Sequence, residues 1–106
     1  MTTFIVTRHA AAAEFAASRG FGDAKVVAHA GDEFWSGLQS GDCVVGTLPL
    51  HLAARACAAT GNPFGFLGLD VPPEMRGKEL SLDDMLRCKA SIEWFRVEAA
   101  QPPKSE

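Results

Sequence analysis

Apolar and polar positions along this chain fall into short blocks whose period switches between that of strands and that of helices. Thr3-Phe4-Ile5-Val6-Thr7 is a β-branched and aromatic run without alternation, the pattern of a central strand buried on both faces. The Ala-rich stretch from Ala10 to Ser18 favours helix, with Ala12, Phe15 and Ala16 on one face and Arg19-Gly20 closing it, Gly20 at the C′ position. Lys25 to His29 reads as a second strand around Val26 and Val27, and Gly31 to Ser40 as either a short helix or a packed loop. A third strand, Asp42 to Gly46, runs into Thr47-Leu48-Pro49 and a helix, with Pro49 in the first turn, where a missing N–H costs nothing. Leu50, Ala53, Ala54, Cys57 and Ala58 form its apolar stripe, and Gly61-Asn62-Pro63 stops it.

Phe64 to Leu69 predicts a fourth strand, followed by a polar loop from Asp70 to Leu80. Ser81, with Asp84 three residues on, caps a last helix whose apolar face is Leu82, Met85, Ile92 and Phe95. The order β-α-β, β-α-β, α predicts an α/β fold: a small, Rossmann-like, mainly parallel sheet with helices on both faces. Right-handed crossovers make that sandwich the economical solution, and a strand order 2-1-3-4 would put the ends of strands one and three side by side. Residues 1–100 make one domain, and 101–106 (Gln-Pro-Pro-Lys-Ser-Glu) are expected to form a disordered tail.

Composition narrows the function classes. Apolar residues are 47% of the 106, enough for a core and against intrinsic disorder. No apolar run approaches the ~20 residues that span a bilayer, and Met1-Thr2-Thr3-Phe4 has no basic n-region, so a cytoplasmic protein without a membrane partner is expected. Ten basic against thirteen acidic residues give a net charge of −3, which argues against duplex nucleic acid as a partner and leaves anion recognition to a local pocket. Cys43, Cys57 and Cys88 are an odd, widely spaced set without a CxxC pair, expected as reduced, core-like thiols rather than a zinc site.

Open α/β sheets bind ligands at the carboxyl ends of their strands. Three segments reach that edge: Thr7-Arg8-His9, Gly46-Thr47-Leu48-Pro49, and Asp70 through Lys78. The second leads into a helix N-terminus, whose N–H groups can hold a phosphate with the Thr47 hydroxyl as an added donor; a plain strand-to-helix turn capped by Thr47 fits the same residues. Arg8 offers planar, permanently charged donors and His9 a proton shuttle near neutral pH. Arg76 and Lys78 can cover an anion from the loop or stay solvated, while His29, His51 and Arg55 read as surface. A strand followed by Arg-His also occurs in the Arg-His-Gly signature of histidine phosphatases, but the third residue here is Ala10, and the chain is short for that fold.

Four blocks carry a resemblance: Phe4-Ile5-Val6-Thr7-Arg8-His9, Gly41-Asp42-Cys43-Val44-Val45-Gly46-Thr47-Leu48-Pro49, Leu52-Ala53-Ala54, and Leu69 to Leu80, which contains Arg76-Gly77-Lys78-Glu79-Leu80. Together they resemble the Csx-sixteen family, small CRISPR-associated accessories of type III systems regarded as ring nucleases. The family's first block usually continues Ser-Arg-His-Pro-Gly, whereas this chain has Thr7-Arg8-His9-Ala10-Ala11, keeping Arg and His but changing the turn that follows. The resemblance implies a CARF-like fold, cyclic tetra-adenylate as ligand, a homodimer, no cofactor, and metal-independent attack of a ribose 2′-OH on the adjacent phosphorus. On that reading Arg8 and His9 are catalytic, and Thr7, Gly46, Thr47, Leu48, Pro49, Asp70, Arg76 and Lys78 bind the ligand. The lack of a carboxylate cluster agrees with metal-free chemistry, with Asp70 leaving a divalent cation as an alternative. A module that sequesters the ring without cutting it would share every one of these features.

Overall fold

The structure is a computed structural model, and it describes residues 1–103. Five strands, β1 (Thr3–Val6), β2 (Lys25–Val27), β3 (Cys43–Gly46), β4 (Phe64–Gly68) and β5 (Ser91–Phe95), form one sheet in the order β2-β1-β3-β4-β5. The first four are parallel, with Ile5 opposite both Val26 and Val45, and Val45 opposite Gly65. This is the expected α/β arrangement, with the order in which strands are added reversing between β1 and β3. The two strands approach closely there: a Cβ on Gly46 would lie 2.4 Å from the Val6 carbonyl oxygen, so no larger residue fits.

Strand alternation splits the core into two layers. Val6, Val44 and Phe64 point to the face covered by α2 (Asp32–Gly37) and α3 (Leu50–Thr60), packing with Phe34, Ala53, Ala56 and Cys57. Ile5 and Val45 point to the opposite face against Ala16, and Leu67 packs there with Ala11, Ala12 and Phe15 of α1 (Ala10–Ala16) and Met85 of α4 (Leu82–Arg87). Ile5, Phe15, Val44 and Val45 are fully buried, each stabilising the fold by about 1.5–3 kcal/mol relative to exposure. The helix after β1 breaks at a kink within Ala17–Phe21, where Arg19 leaves helical geometry and Gly20 takes φ +102°, the left-handed geometry its C′ role needs. The ambiguous segment before β3 forms the short helix α2, and β2 stops at Val27, leaving His29 beyond the strand.

Three expectations change. Pro49 is the N-cap of α3 rather than a residue of its first turn, and the buried stripe is Ala53, Ala56, Cys57 and Thr60. Leu50, at the start of the helix, is 75% exposed and Ala58 faces solvent, while Thr60 is buried with its hydroxyl donating to the Ala56 carbonyl (2.8 Å). The third change is larger: the last helix does not reach Phe95. It begins at the predicted cap, where the Ser81 N–H donates to Asp84 (3.0 Å) and Asp84 N–H to the Ser81 hydroxyl (3.2 Å). It ends at Arg87 in a tight turn, with Ala90 N–H donating to the Met85 carbonyl (3.0 Å) and Lys89 N–H to that of Leu86 (3.2 Å). Lys89, at φ +57°, occupies the left-handed position that glycine ordinarily fills.

Asp70 N–H donates to the Cys88 carbonyl (2.7 Å), so the chain is back at the carboxyl end of β4 when β5 begins. β5 therefore runs antiparallel, Ser91 opposite Gly68 and Phe95 opposite Phe64. Gln101, Pro102 and Pro103 are exposed and without regular structure; the rest of the expected tail, 104–106, lies outside the described residues. The three thiols are separate, Cys57 and Cys88 buried and Cys43 half-buried, where burial pushes the Cys43 thiol up.

The amino ends of β1 and β3 are joined by one buried carboxylate. Asp42 accepts from Thr2 N–H and Gln39 N–H (2.9 Å each), while Asn62 donates to the Gly41 (3.2 Å) and Asp42 (2.8 Å) carbonyls. The Gln39 amide, and after it the Thr2 amide, hold the Asp42 carboxyl below the usual carboxylate range.

Candidate functional site

At the other end of the sheet, β1 ends under tight control. Thr7 N–H donates to the Val27 carbonyl (2.9 Å), and the Thr7 hydroxyl oxygen accepts from His9 N–H (3.1 Å). His9 is the N-cap of α1 in extended geometry; its carbonyl accepts from Ala12, and its side chain makes no cap bond. The ring is therefore not consumed in starting the helix.

These residues form part of the rim of a cleft of about 480 Å³, above the carboxyl ends of β1, β3 and β4. The polar rim is Thr7, Arg8, His9, Thr47 and Lys78. The walls and floor are apolar: Ala11 and Ala12 of α1, Leu67 and Leu69, Val71 and Leu80 of the loop, and Met85 of α4. Alanines at 11 and 12 keep the space open, since longer side chains on that face of α1 would fill it. A mainly apolar pocket with a few convergent polar groups is the usual form of a small-molecule site. Its volume lies within the ~300–1,000 Å³ typical of such pockets.

The rim carries more positive than negative charge in a chain of net −3. Among the described residues neither Arg8 nor Lys78 is held in an ion pair. His9 does have a carboxylate partner: its Nδ1 lies 3.2 and 3.3 Å from the two carboxylate oxygens of Glu79, bridging the end of β1 to the loop 70 residues later. Both side chains are mostly exposed, 65% and 71%. Nothing local singles out Glu79, a carboxylate beside an expected anion site, and the apolar floor is equally invisible until the loop is folded over α1.

Five of the ten expected site residues, Thr7, Arg8, His9, Thr47 and Lys78, meet at this cleft, and the other five do not line it. Leu48 packs into the opposite layer with the α2–α3 core, and Gly46 is buried against the Val6 backbone. Pro49 and Asp70 are exposed outside the lining, and Arg76 is exposed just after a 3₁₀ turn, Pro73–Met75. The role expected for Thr47 also changes. Its hydroxyl donates to the Leu67 carbonyl (3.1 Å), tying β3 to β4, so its oxygen meets a ligand as an acceptor, and Thr7 has the hydroxyl proton to spare. Neither His29 nor His51 lines the cleft, which holds one histidine and not the pair of a histidine phosphatase.

Among the described residues no three His, Cys, Asp or Glu side chains gather as a metal site, and no helix is long and apolar enough to cross a membrane.

Residues 4–98 match the model of the family Cas_VVA1548, whose description reads "Putative CRISPR-associated protein". No curated protein and no solved structure matches the chain.

Proposed function

The chain belongs to this CRISPR-associated family, and we propose that within it the protein is a ring nuclease of type III defence, binding cyclic tetra-adenylate as a homodimer and cutting it without a metal. The observation that carries this reading is the convergence of Thr7, Arg8, His9 and Lys78 on one apolar-floored cleft at the point where the strand order reverses. Cationic and hydroxyl donors at the rim suit phosphodiesters, and the apolar floor suits a base. An acceptor-only oxygen at Thr47 suits a base bearing an amino group.

In this mechanism the ribose 2′-oxygen attacks the adjacent phosphorus and the bond to the 5′-oxygen breaks; the same step at two opposite linkages of the ring leaves two linear di-adenylates, each ending in a 2′,3′-cyclic phosphate. His9 takes the 2′-OH proton, and the leaving 5′-oxygen takes a proton from water. Arg8 meets the charge that develops on the non-bridging oxygens, and Lys78 and the Thr7 hydroxyl hold the phosphate in line. One cleft has the size for one drug-sized ligand rather than a four-nucleotide ring. A two-fold dimer would offer two such clefts to a ligand that itself has two-fold symmetry.

Incubation of the protein with cyclic tetra-adenylate in excess EDTA, followed by chromatography, tests the reading. Linear di-adenylate ending in a cyclic phosphate is the expected product. Intact ring co-eluting with the protein would replace the nuclease with a sequestering module, and intact ring without binding would reject both.

A further inference from the structure

The contact between His9 and Glu79 is costly to explain as a stabilising device. An ion pair between two side chains 65% and 71% exposed contributes about 0–1 kcal/mol. Yet it joins residues 70 positions apart, and it fixes a chemical property of one of them. A carboxylate only accepts hydrogen bonds, so both contacts from Glu79 are satisfied only when Nδ1 of His9 carries the proton. In the neutral ring the other nitrogen, Nε2, is then the bare one, available to accept a proton at the cleft rim.

We propose that Glu79 is the positioning residue of His9, holding the ring in the Nδ1–H tautomer and so making Nε2 its basic atom. The inference rests on the reading of His9 as the proton-transfer group, and it names which nitrogen does the work and what selects it. Glu79 itself touches no reacting atom. When Nε2 takes a proton, Nδ1–H still points at the Glu79 carboxylate, which keeps the ring from rotating away. The arrangement also ties catalysis to the loop: Gly77, at φ +82°, and the turn over Pro73–Met75 set where Glu79 sits, so a displaced loop leaves His9 without its orienting partner.

With three histidines in the chain, ring nitrogens are resolvable by long-range proton–nitrogen correlation spectra of the ¹⁵N-labelled full-length protein, His9 being assigned by its loss in His9→Gln. At about pH 8, where a free imidazole is neutral, wild-type His9 is expected as the Nδ1–H tautomer. In Glu79→Ala it should revert to Nε2–H, with the thermal midpoint unchanged. With cyclic tetra-adenylate, Glu79→Ala should lower kcat about 10- to 100-fold at nearly constant KM. Glu79→Gln, whose amide oxygen still accepts, should hold part of the Nδ1–H population and an intermediate kcat. An Nε2–H tautomer in the wild type, or a tautomer that Glu79→Ala leaves in place, overturns the proposal. If the protein neither binds nor cuts the ring, the nuclease reading fails while the spectra still decide the role of Glu79.

Discussion

The two ends of the sheet solve opposite problems with similar residues. At the amino end, Asp42 is buried, and its carboxylate and the Asn62 amide bind four backbone groups that would otherwise be orphaned. At the carboxyl end, Arg8, His9, Lys78 and Glu79 are exposed, and only His9 and Glu79 hold one another. The closed network binds β1 to β3 and leaves nothing for a ligand. The open one contributes little to the fold and presents donors over a cleft. Polar residues therefore stabilise where their partners are backbone and buried, and act where their partners are still to come.

The comparison breaks most visibly if the two ends exchange roles under mutation. Asp42→Ala should cost about 3 kcal/mol, since it strands the Thr2 and Gln39 amides, and should leave ligand affinity of the folded molecules unchanged; chemical denaturation and titration of the same sample check both halves. Acid acts on the same group. Because the folded-state pKa of Asp42 is depressed, its stabilisation is fully present above the ordinary carboxylate value and is lost as pH falls through the lowered one. Denaturation midpoints should therefore hold between pH 7 and about 5 and drop below about 4, and the drop should be smaller in Asp42→Ala.

His9→Ala should give the reverse profile: cleavage reduced by roughly 10²-fold or more, with binding and thermal midpoint nearly unchanged. A large loss of stability in that variant would contradict the division drawn above. Arg8→Ala should weaken ligand binding by about tenfold, seen by calorimetry, again without a stability change. The smallest effect belongs to Lys89→Gly, which relieves a left-handed φ at the open end and should raise stability by about 0.5–1 kcal/mol. A fall instead would mean that the lysine side chain has a partner that outweighs its backbone strain.

The first four strands and the order of β2, β1, β3 and β4 were legible because each strand is bounded by Gly, Pro or a polar turn and each period is unmixed. β5 was not. Ile92 and Phe95 continue the helical spacing of Leu82 and Met85, and the left-handed residue just past α4 is Lys89, where glycine would have announced the stop. Tertiary pairing with β4 decides between the two periods, and no local window contains it. In the site, Thr7, Arg8 and His9 were readable because they follow a buried strand directly. Glu79 beside His9, and Val71, Leu80 and Met85 in the floor, were not, since they come to that end of the sheet only through the path of the 70–80 loop. The reversed role of Thr47 depends on a single carbonyl of the neighbouring strand.

The placement of the two tryptophans gives the molecule a built-in optical division, since the chain has no tyrosine. Trp35 donates its indole N–H to the Ala30 carbonyl (3.1 Å) beneath the Arg55 guanidinium, in the layer away from the cleft. Trp94 stands partly exposed on the outer strand, its ring 5.9 Å from that of Phe21. Neither lines the cleft. Intrinsic emission therefore reports on the α2–α3 layer and the outer strand rather than on the cleft lining, so a spectral shift on adding ligand would report a change beyond the pocket itself.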